Sequence, residues 1–129
     1  MSTIFTKIVA GEIPCHEVWA DDRHFAFLDI NPRAPGHTLV IPKREVSYIF
    51  DLEPEEYDGL WRAARTVADQ MKTALSCERI CVSVIGWEVP HVHVHLVPTN
   101  RIEDFPFPPP QTTTAAELSA MAARLRGED

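Results

Sequence analysis

Three histidines alternate with valines in one short segment of the chain. His91, His93 and His95 are separated by Val92 and Val94, and they are half of the six histidines in the sequence. In an extended strand, alternate side chains lie on the same face, so the three imidazoles share one face and the valines occupy the other. A purely structural role explains such a cluster poorly. We therefore predict a reactive histidine face over an apolar core.

Metal binding is one chemistry that uses several imidazoles, because neutral imidazole is a common zinc ligand. A straight strand would separate the Cα atoms of His91 and His95 by about 13 Å, whereas zinc ligands lie about 2.1 Å from the ion. One metal could not easily hold all three histidines. It would need two of them together with a distant carboxylate or His37.

Covalent catalysis on phosphorus is the second chemistry. A neutral imidazole nitrogen can attack phosphorus near neutral pH, provided that the other ring nitrogen is hydrogen-bonded. Neighbouring histidines can then donate to phosphate oxygens or protonate the departing group. Three histidines on one face suit these three roles, and we favour this chemistry over metal binding.

The elements that must position these residues follow from hydrophobic periodicity. Apolar residues at steps of three and four predict one long helix over residues 53–75, and a T-x-x-E capping box at Thr114 begins a short terminal helix. Alternating or β-branched patterns predict strands at residues 17–20, 24–30, 37–41, 80–85 and 91–98. Between Arg101 and Thr114 the Pro-rich run at 105–110 predicts an extended tether.

Composition limits the class of protein. The 129 residues, 45% of them hydrophobic, suffice for one core, and a net charge of −7 argues against binding to nucleic-acid polymers. The three cysteines are odd in number and lack a C-x-x-C spacing, so we expect free thiols. The sequence has neither a signal-peptide pattern nor an apolar run of the roughly 20 residues that a membrane helix needs. We expect a cytoplasmic protein without a membrane segment.

Several segments together resemble the histidine triad (HIT) family, in the order that the family shows. The triad segment fits the pattern His-φ-His-φ-His-φ-φ, in which φ is apolar, and about 100 residues are covered. The matching segments are Ile4-Phe5-x-Lys7-Ile8-x-x-Gly11-Glu12-Ile13-Pro14, Phe27-Leu28-Asp29-Ile30-Asn31-Pro32, Pro35-Gly36-His37-Thr38-Leu39-Val40-Ile41-Pro42-Lys43 and Val89-Pro90-His91-Val92-His93-Val94-His95-Leu96-Val97-Pro98.

The resemblance implies an α+β fold with a five-stranded antiparallel sheet, one long helix and a short C-terminal helix. Residues 1–105 would form the HIT domain, and residues 106–129 a tether and helix packed on the same domain or on its dimer mate. The implied protein is a homodimer that binds a purine nucleotide resembling AMP. It would act as a hydrolase or transferase on the α-phosphate of nucleoside phosphoramidates or related esters, with no cofactor and no metal.

The resemblance also implies a role for individual residues. His93 would be the nucleophile that becomes nucleotidylated, His95 would bind phosphate and assist the leaving group, and His91 would orient the site. His37 would complete the histidine group, and Asp29 would accept hydrogen bonds from the ribose hydroxyls. An apolar wall would hold the base, formed by Ile4, Phe5, Ile8 and Leu39.

Two departures from the family pattern affect these expectations. Trp87 and Glu88 stand in the phosphate-binding segment before the triad, where many members have glutamine and a hydroxyl residue, so the leaving group is open. Thr3 and Thr6 stand where some relatives have zinc-binding cysteines, so we expect no zinc there. Three alternatives remain: a nucleotide-binding regulatory module with weak catalysis, a dinucleoside polyphosphate hydrolase and a metal-dependent hydrolase.

Overall fold

One antiparallel sheet organises the chain in a computed structural model that describes residues 3–104 and 109–128. Its five strands are ordered β1-β2-β3-β5-β4, so β3 and the triad-bearing β5 are neighbours inside the sheet. Leu39 of β3 lies opposite both Phe27 of β2 and His95 of β5. This register places Leu39, which was predicted to contact the base, in one row across the sheet with Phe27 and His95. The strands are β1 Glu17–Ala20, β2 His24–Leu28, β3 Thr38–Pro42, β4 Arg79–Ser83 and β5 Val94–Thr99.

Three α-helices and two short 3-10 turns accompany the sheet within residues 3–104 and 109–128. They are α1 Ile4–Val9, α2 Pro54–Leu75, α3 Ala115–Leu125 and the turns Ile49–Asp51 and Ile102–Asp104. Helix α2 begins with proline at a first-turn position and a capping box between Glu53 and Glu56, which satisfies exposed amide groups. Thr114 caps α3 by accepting from the Glu117 amide. No helix in the described ranges has the length and hydrophobicity required to span a membrane.

The two faces of the sheet bury different sets of side chains. Helices α2 and α3 cover one face, where residues such as Leu60, Val67 and Leu125 form the main core with the valines of the triad segment. Phe5 of α1 covers part of the other face together with Leu39, in a smaller apolar cluster. Alternation along each strand therefore separates a structural face from the face that carries the histidines.

The predicted α+β fold, with its antiparallel sheet, long helix and terminal helix, is confirmed. Two details differ most from the sequence-based expectation. Helix α1 was not predicted, because six residues give too short a pattern. The triad strand β5 begins at Val94 rather than His91, since the chain bends where the His91 amide donates to the Val89 carbonyl. Part of the predicted Pro-rich tether, residues 105–108, lies outside the described residues.

Candidate active site

His93 lies immediately before β5 and is buried, with 7% of the residue exposed. Its Nδ1 lies 2.7 Å from the carbonyl oxygen of His91. A carbonyl can only accept, so Nδ1 carries the ring proton and the neutral ring keeps an unshared electron pair on Nε2. The structure thus holds His93 in the tautomer that a nucleophile attacking through Nε2 requires.

His37 and His95 form a hydrogen-bonded pair beside it. The Arg33 amide donates to His37 Nδ1 at 3.0 Å, which leaves the proton of a neutral His37 on Nε2. That nitrogen lies 2.9 Å from His95 Nδ1 and donates to it. His95 consequently carries its own proton on Nε2. One backbone amide therefore fixes the tautomers of two rings, and the pair ends in an N–H group that can donate to a ligand.

Burial keeps this pair neutral at physiological pH. Desolvation lowers the pKa of His37 to about 4, with further contributions from Arg33 and His93. Desolvation likewise lowers the pKa of His95 to about 4, assisted by the His93 and His37 rings and opposed by Asp29. The centroids of the His93 and His95 rings are 4.9 Å apart, so a second proton in this cluster would meet a like charge.

His91 occupies a more enclosed position than the other two triad histidines. Its Nε2 donates to the Pro42 carbonyl at 2.8 Å, and its Nδ1 lies 3.1 Å from the Thr3 hydroxyl. Burial lowers its pKa. Both ring nitrogens have partners within the protein, so His91 can orient its neighbours but offers no free nitrogen to a ligand.

The carboxylate of Asp29 lies beside this cluster. Asp29 Oδ1 accepts from the Asn31 amide at 2.8 Å, and Oδ2 lies 3.7 Å from His37 Nε2. Asp29 is thus a turn-forming carboxylate that also adjoins the histidine cluster. One oxygen stabilises the turn after β2, whereas the partly exposed other oxygen lies beside the histidines.

The apolar wall is assembled around Phe5. The Phe5 ring meets the His93 ring edge-on at a centroid distance of 4.9 Å and meets Phe27 at 5.5 Å. Leu39 is buried in the same cluster, and Ile8 packs against it. Ile4 is 47% exposed on the outer side of α1. Three of the four predicted wall residues therefore meet in one cluster, together with Phe27, which the sequence analysis did not assign.

The loop before the triad carries the remaining predicted residues. Trp87 is 90% exposed, and Glu88 is also exposed. Both follow Gly86, whose φ of 80° favours glycine. In the single chain these two side chains are directed to the surface rather than joined to the histidine cluster.

One group of side chains could also hold a cation. The ligand atoms of Asp29, His37 and His95 all lie within 4.8 Å of one another. Simultaneous coordination would require breaking the hydrogen bond between the two rings, because each nitrogen would have to direct a lone pair at the ion. The metal alternative called for a distant carboxylate or His37, and both Asp29 and His37 lie near His95. In the structure, however, His37 and His95 are hydrogen-bonded to each other.

The HIT-domain family model matches residues 10–102. The chain belongs to the HIT family. It is 38% identical over 101 residues to the purine nucleoside phosphoramidase of Escherichia coli strain K12, with 74% of this chain and 85% of the relative covered. It is 37% identical over 99 residues to a HIT-like protein of Methanocaldococcus jannaschii, with 74% and 77% covered. The crystal structure of a HIT-like protein from Bartonella henselae superposes with a TM-score of 0.86 at 31% identity, covering 98% of this chain and 95% of that one.

The HIT site contains residues that sequence reasoning missed. The Arg33 amide orders His37, and the side chains of Thr3, Thr6 and Glu45 adjoin His91. Thr3 gave a signal, because threonine is a preferred N-cap before a helical segment. Glu45 gave no signal. It is an exposed charged residue in the loop after β3, and nothing in the sequence around it relates it to Thr3 or Thr6.

Proposed function

We propose that this HIT protein is a hydrolase or transferase that acts on the α-phosphate of purine nucleoside phosphoramidates or related esters. The observation that carries the proposal is the hydrogen bond from His93 Nδ1 to the His91 carbonyl, which leaves Nε2 unprotonated. The 38% identity to the purine nucleoside phosphoramidase of Escherichia coli supports the reaction class.

In the proposed reaction, His93 Nε2 attacks the α-phosphorus and a nucleotidyl-histidine forms. The P–N bond of a protonated phosphoramidate breaks, its electron pair goes to nitrogen, and a neutral amine leaves. The N–H group at His95 Nε2 donates to the phosphoryl oxygens, where negative charge accumulates in the transition state, and so assists the departure of the amine. Water then attacks phosphorus, the bond to His93 breaks, and the nucleoside monophosphate and a proton are released.

The proposed ligand is an AMP-like purine nucleotide. Asp29 Oδ1 accepts a hydrogen bond within the turn, so Oδ2 is the oxygen that would accept hydrogen bonds from the ribose hydroxyls. The cluster around Phe5, Ile8 and Leu39 provides an apolar surface for the faces of the base, with Ile4 at its outer edge. Trp87 and Glu88 stand in the segment that we propose to face the leaving group, and in the single chain their side chains are exposed at the surface.

The assembly and domain boundaries belong to the same proposal. Strand β4 ends the sheet, and Val82 on it is 49% exposed, which suits pairing with a second copy in a homodimer. Residues 1–105 would form the catalytic HIT domain and residues 106–129 its C-terminal extension. Leu118 and Leu125 of α3 bury themselves in the core of the same chain, which favours packing on that chain. The cytoplasm is the proposed location, in keeping with the free thiols of Cys15, Cys77 and Cys81.

Hydrolysis of adenosine 5′-phosphoramidate at pH 7 in excess chelator tests the proposal. We expect wild type to release AMP, His93→Ala to release none, and His16→Ala, outside the cluster, to match wild type. Mass spectrometry of wild type denatured at alkaline pH during a single turnover should show one nucleotidyl adduct, because the P–N bond to histidine survives in base and not in acid. A wild type that binds AMP without turnover would instead indicate a binding module, and activity lost to chelator would indicate a metal-dependent hydrolase.

A further inference from the structure

Three side chains, those of Thr3, Thr6 and Glu45, converge beside His91. Glu45 Oε1 accepts from the Thr3 amide at 2.9 Å and from the Thr6 hydroxyl at 2.5 Å. The Thr3 hydroxyl lies 3.1 Å from His91 Nδ1, and the Thr6 hydroxyl lies 3.5 Å from the same nitrogen. We call Thr3, Thr6, Glu45 and His91 the threonine–glutamate network. It joins the start of α1, the connection after β3 and the triad.

The donors and acceptors of this network allow one assignment. The Pro42 carbonyl requires the His91 proton on Nε2, so Nδ1 must accept. The Thr3 oxygen already accepts from the Thr6 amide at 3.2 Å, and its hydrogen is free for Nδ1. An ionised carboxylate only accepts, so Glu45 directs the Thr6 hydrogen toward itself and away from His91. Glu45 thus decides which threonine serves the imidazole.

The lowered pKa of Glu45 agrees with this assignment. Its largest cause is the hydrogen bond from the Thr6 hydroxyl, followed by the bond from the Thr3 amide. Both bonds stabilise the carboxylate form, so the network is complete throughout the neutral range.

The network also fixes helix α1 at its weakest point. A six-residue helix has little stability of its own, and the Thr3 amide precedes its first turn, where backbone donors lack intrahelical partners. Glu45 supplies an acceptor for that amide. Phe5, two residues further on, packs edge-on against the His93 ring. Movement of the helix start would therefore be transmitted to the nucleophile.

The backbone around Glu45 is itself held against the triad segment. The Val92 amide donates to the carbonyl of Val46, the residue after Glu45, at 2.8 Å. His91 connects the network to the reacting ring, because its carbonyl accepts from His93 Nδ1. Two routes, one through His91 and one through Phe5, thus lead from an exposed carboxylate to the proposed nucleophile.

We propose that Glu45, acting through the hydroxyls at the start of α1, is a positioning residue for His91 and His93. It does not touch substrate. Its role in turnover rests on the proposed function, whereas its effect on the hydrogen bond at His91 Nδ1 can be measured without substrate.

Two measurements test this proposal: the imidazole ¹⁵N shifts of the folded, ligand-free protein, and the kinetics of turnover. The variants are Glu45→Ala, Glu45→Gln and, as an exposed control, Glu78→Ala. Imidazole ¹⁵N shifts report the tautomer, and wild-type His91 should show distinct shifts for protonated Nε2 and unprotonated Nδ1. In Glu45→Ala the Nε2 shift should stay at its protonated value, because the Pro42 carbonyl still fixes the tautomer. The Nδ1 shift should change, because the threonine hydroxyls beside it are no longer held by the carboxylate, while the shifts of His37 stay as in wild type. Glu45→Gln, which keeps an oxygen acceptor, should return the Nδ1 shift most of the way to the wild-type value, and Glu78→Ala should match wild type.

For turnover of adenosine 5′-phosphoramidate we expect Glu45→Ala to lower kcat about tenfold, because small misplacements of reacting groups have effects of this size or larger. KM should change less than about twofold, since the ligand-contacting groups remain. Unchanged His91 shifts in Glu45→Ala, or a kcat equal to wild type, would overturn the proposal. If wild type itself shows no turnover, the proposed reaction fails, and the ¹⁵N shifts alone decide whether Glu45 positions His91.

Discussion

Acid should destabilise the folded protein through the buried pair of His37 and His95. Burial lowers the pKa of each ring to about 4 in the folded chain, against an ordinary value of 6.5. Between these two values the unfolded chain binds more protons than the folded chain, so the free energy of unfolding decreases as pH falls. The stability contributed by the neutral rings is complete above pH 6.5 and is lost as pH approaches 4. Replacing His37 by glutamine should remove its share of this loss.

The magnitude follows from the pKa of His37 alone. At pH 5 an unfolded imidazole is almost fully protonated, whereas roughly a tenth of the folded His37 is. Integrated from pH 7.5 to pH 5, this difference in proton binding changes the unfolding equilibrium by a factor of about 30, or about 2 kcal/mol. His95 is more exposed and coupled to His37, so it adds less. Two kcal/mol is a large share of the stability of a small domain.

Urea unfolding followed by tryptophan fluorescence at pH 7.5 and pH 5 measures the effect. We expect wild type and the control His16→Gln to lose the same amount between the two pH values, and His37→Gln to lose about 2 kcal/mol less. Glutamine can still accept from the Arg33 amide or donate to His95, so the comparison isolates titration more cleanly than alanine would. An equal loss in wild type and His37→Gln would refute the assignment of the acid sensitivity to this buried ring.

Two further predictions concern Asp29 and Gly36. Asp29→Asn retains an oxygen for the turn but loses the charge, so the preference for adenosine over 2′-deoxyadenosine phosphoramidate, measured as a ratio of kcat/KM, should fall about tenfold; an unchanged ratio would remove Asp29 from ribose recognition. Gly36→Ala should lower the free energy of unfolding by about 2 kcal/mol, because φ is +94° and the new methyl group would lie 2.7 Å from Leu75 Cδ1. In the control Gly11→Ala, φ is +82° and no atom lies within 4 Å, so only the backbone strain of about 1 kcal/mol should appear in urea unfolding; equal losses would contradict the clash.

Helix α2 and the strands were predictable because long stretches of sequence repeat one periodicity. The apolar face of Pro54–Leu75 is read directly from steps of three and four residues, and the structure buries that face, including Leu60 and Met71. Helix α1 is a different case. Its six residues carry too little pattern, and its position depends on contacts with residues far along the chain.

In the triad, too, the sequence pattern predicted which residues lie together but not the hydrogen bonds that they make. Alternation correctly predicted that His93 and His95 are near each other, and the family resemblance added His37 and Asp29. Tautomers could not be predicted from the sequence, because they depend on which nitrogen meets a fixed donor or acceptor. The Arg33 amide and the carbonyl groups of His91 and Pro42 make that decision.

Backbone groups, which every residue possesses, thus determine the chemistry of the three most deeply placed imidazoles. This explains why residue types alone identify the site but not its mechanism. A different fold could bring the same four histidines together with a carbonyl facing His93 Nε2, and that arrangement would leave the lone pair on Nδ1 instead. The sheet register beside Leu39 and the bend at His91 are therefore as necessary to the proposed reaction as the histidines themselves.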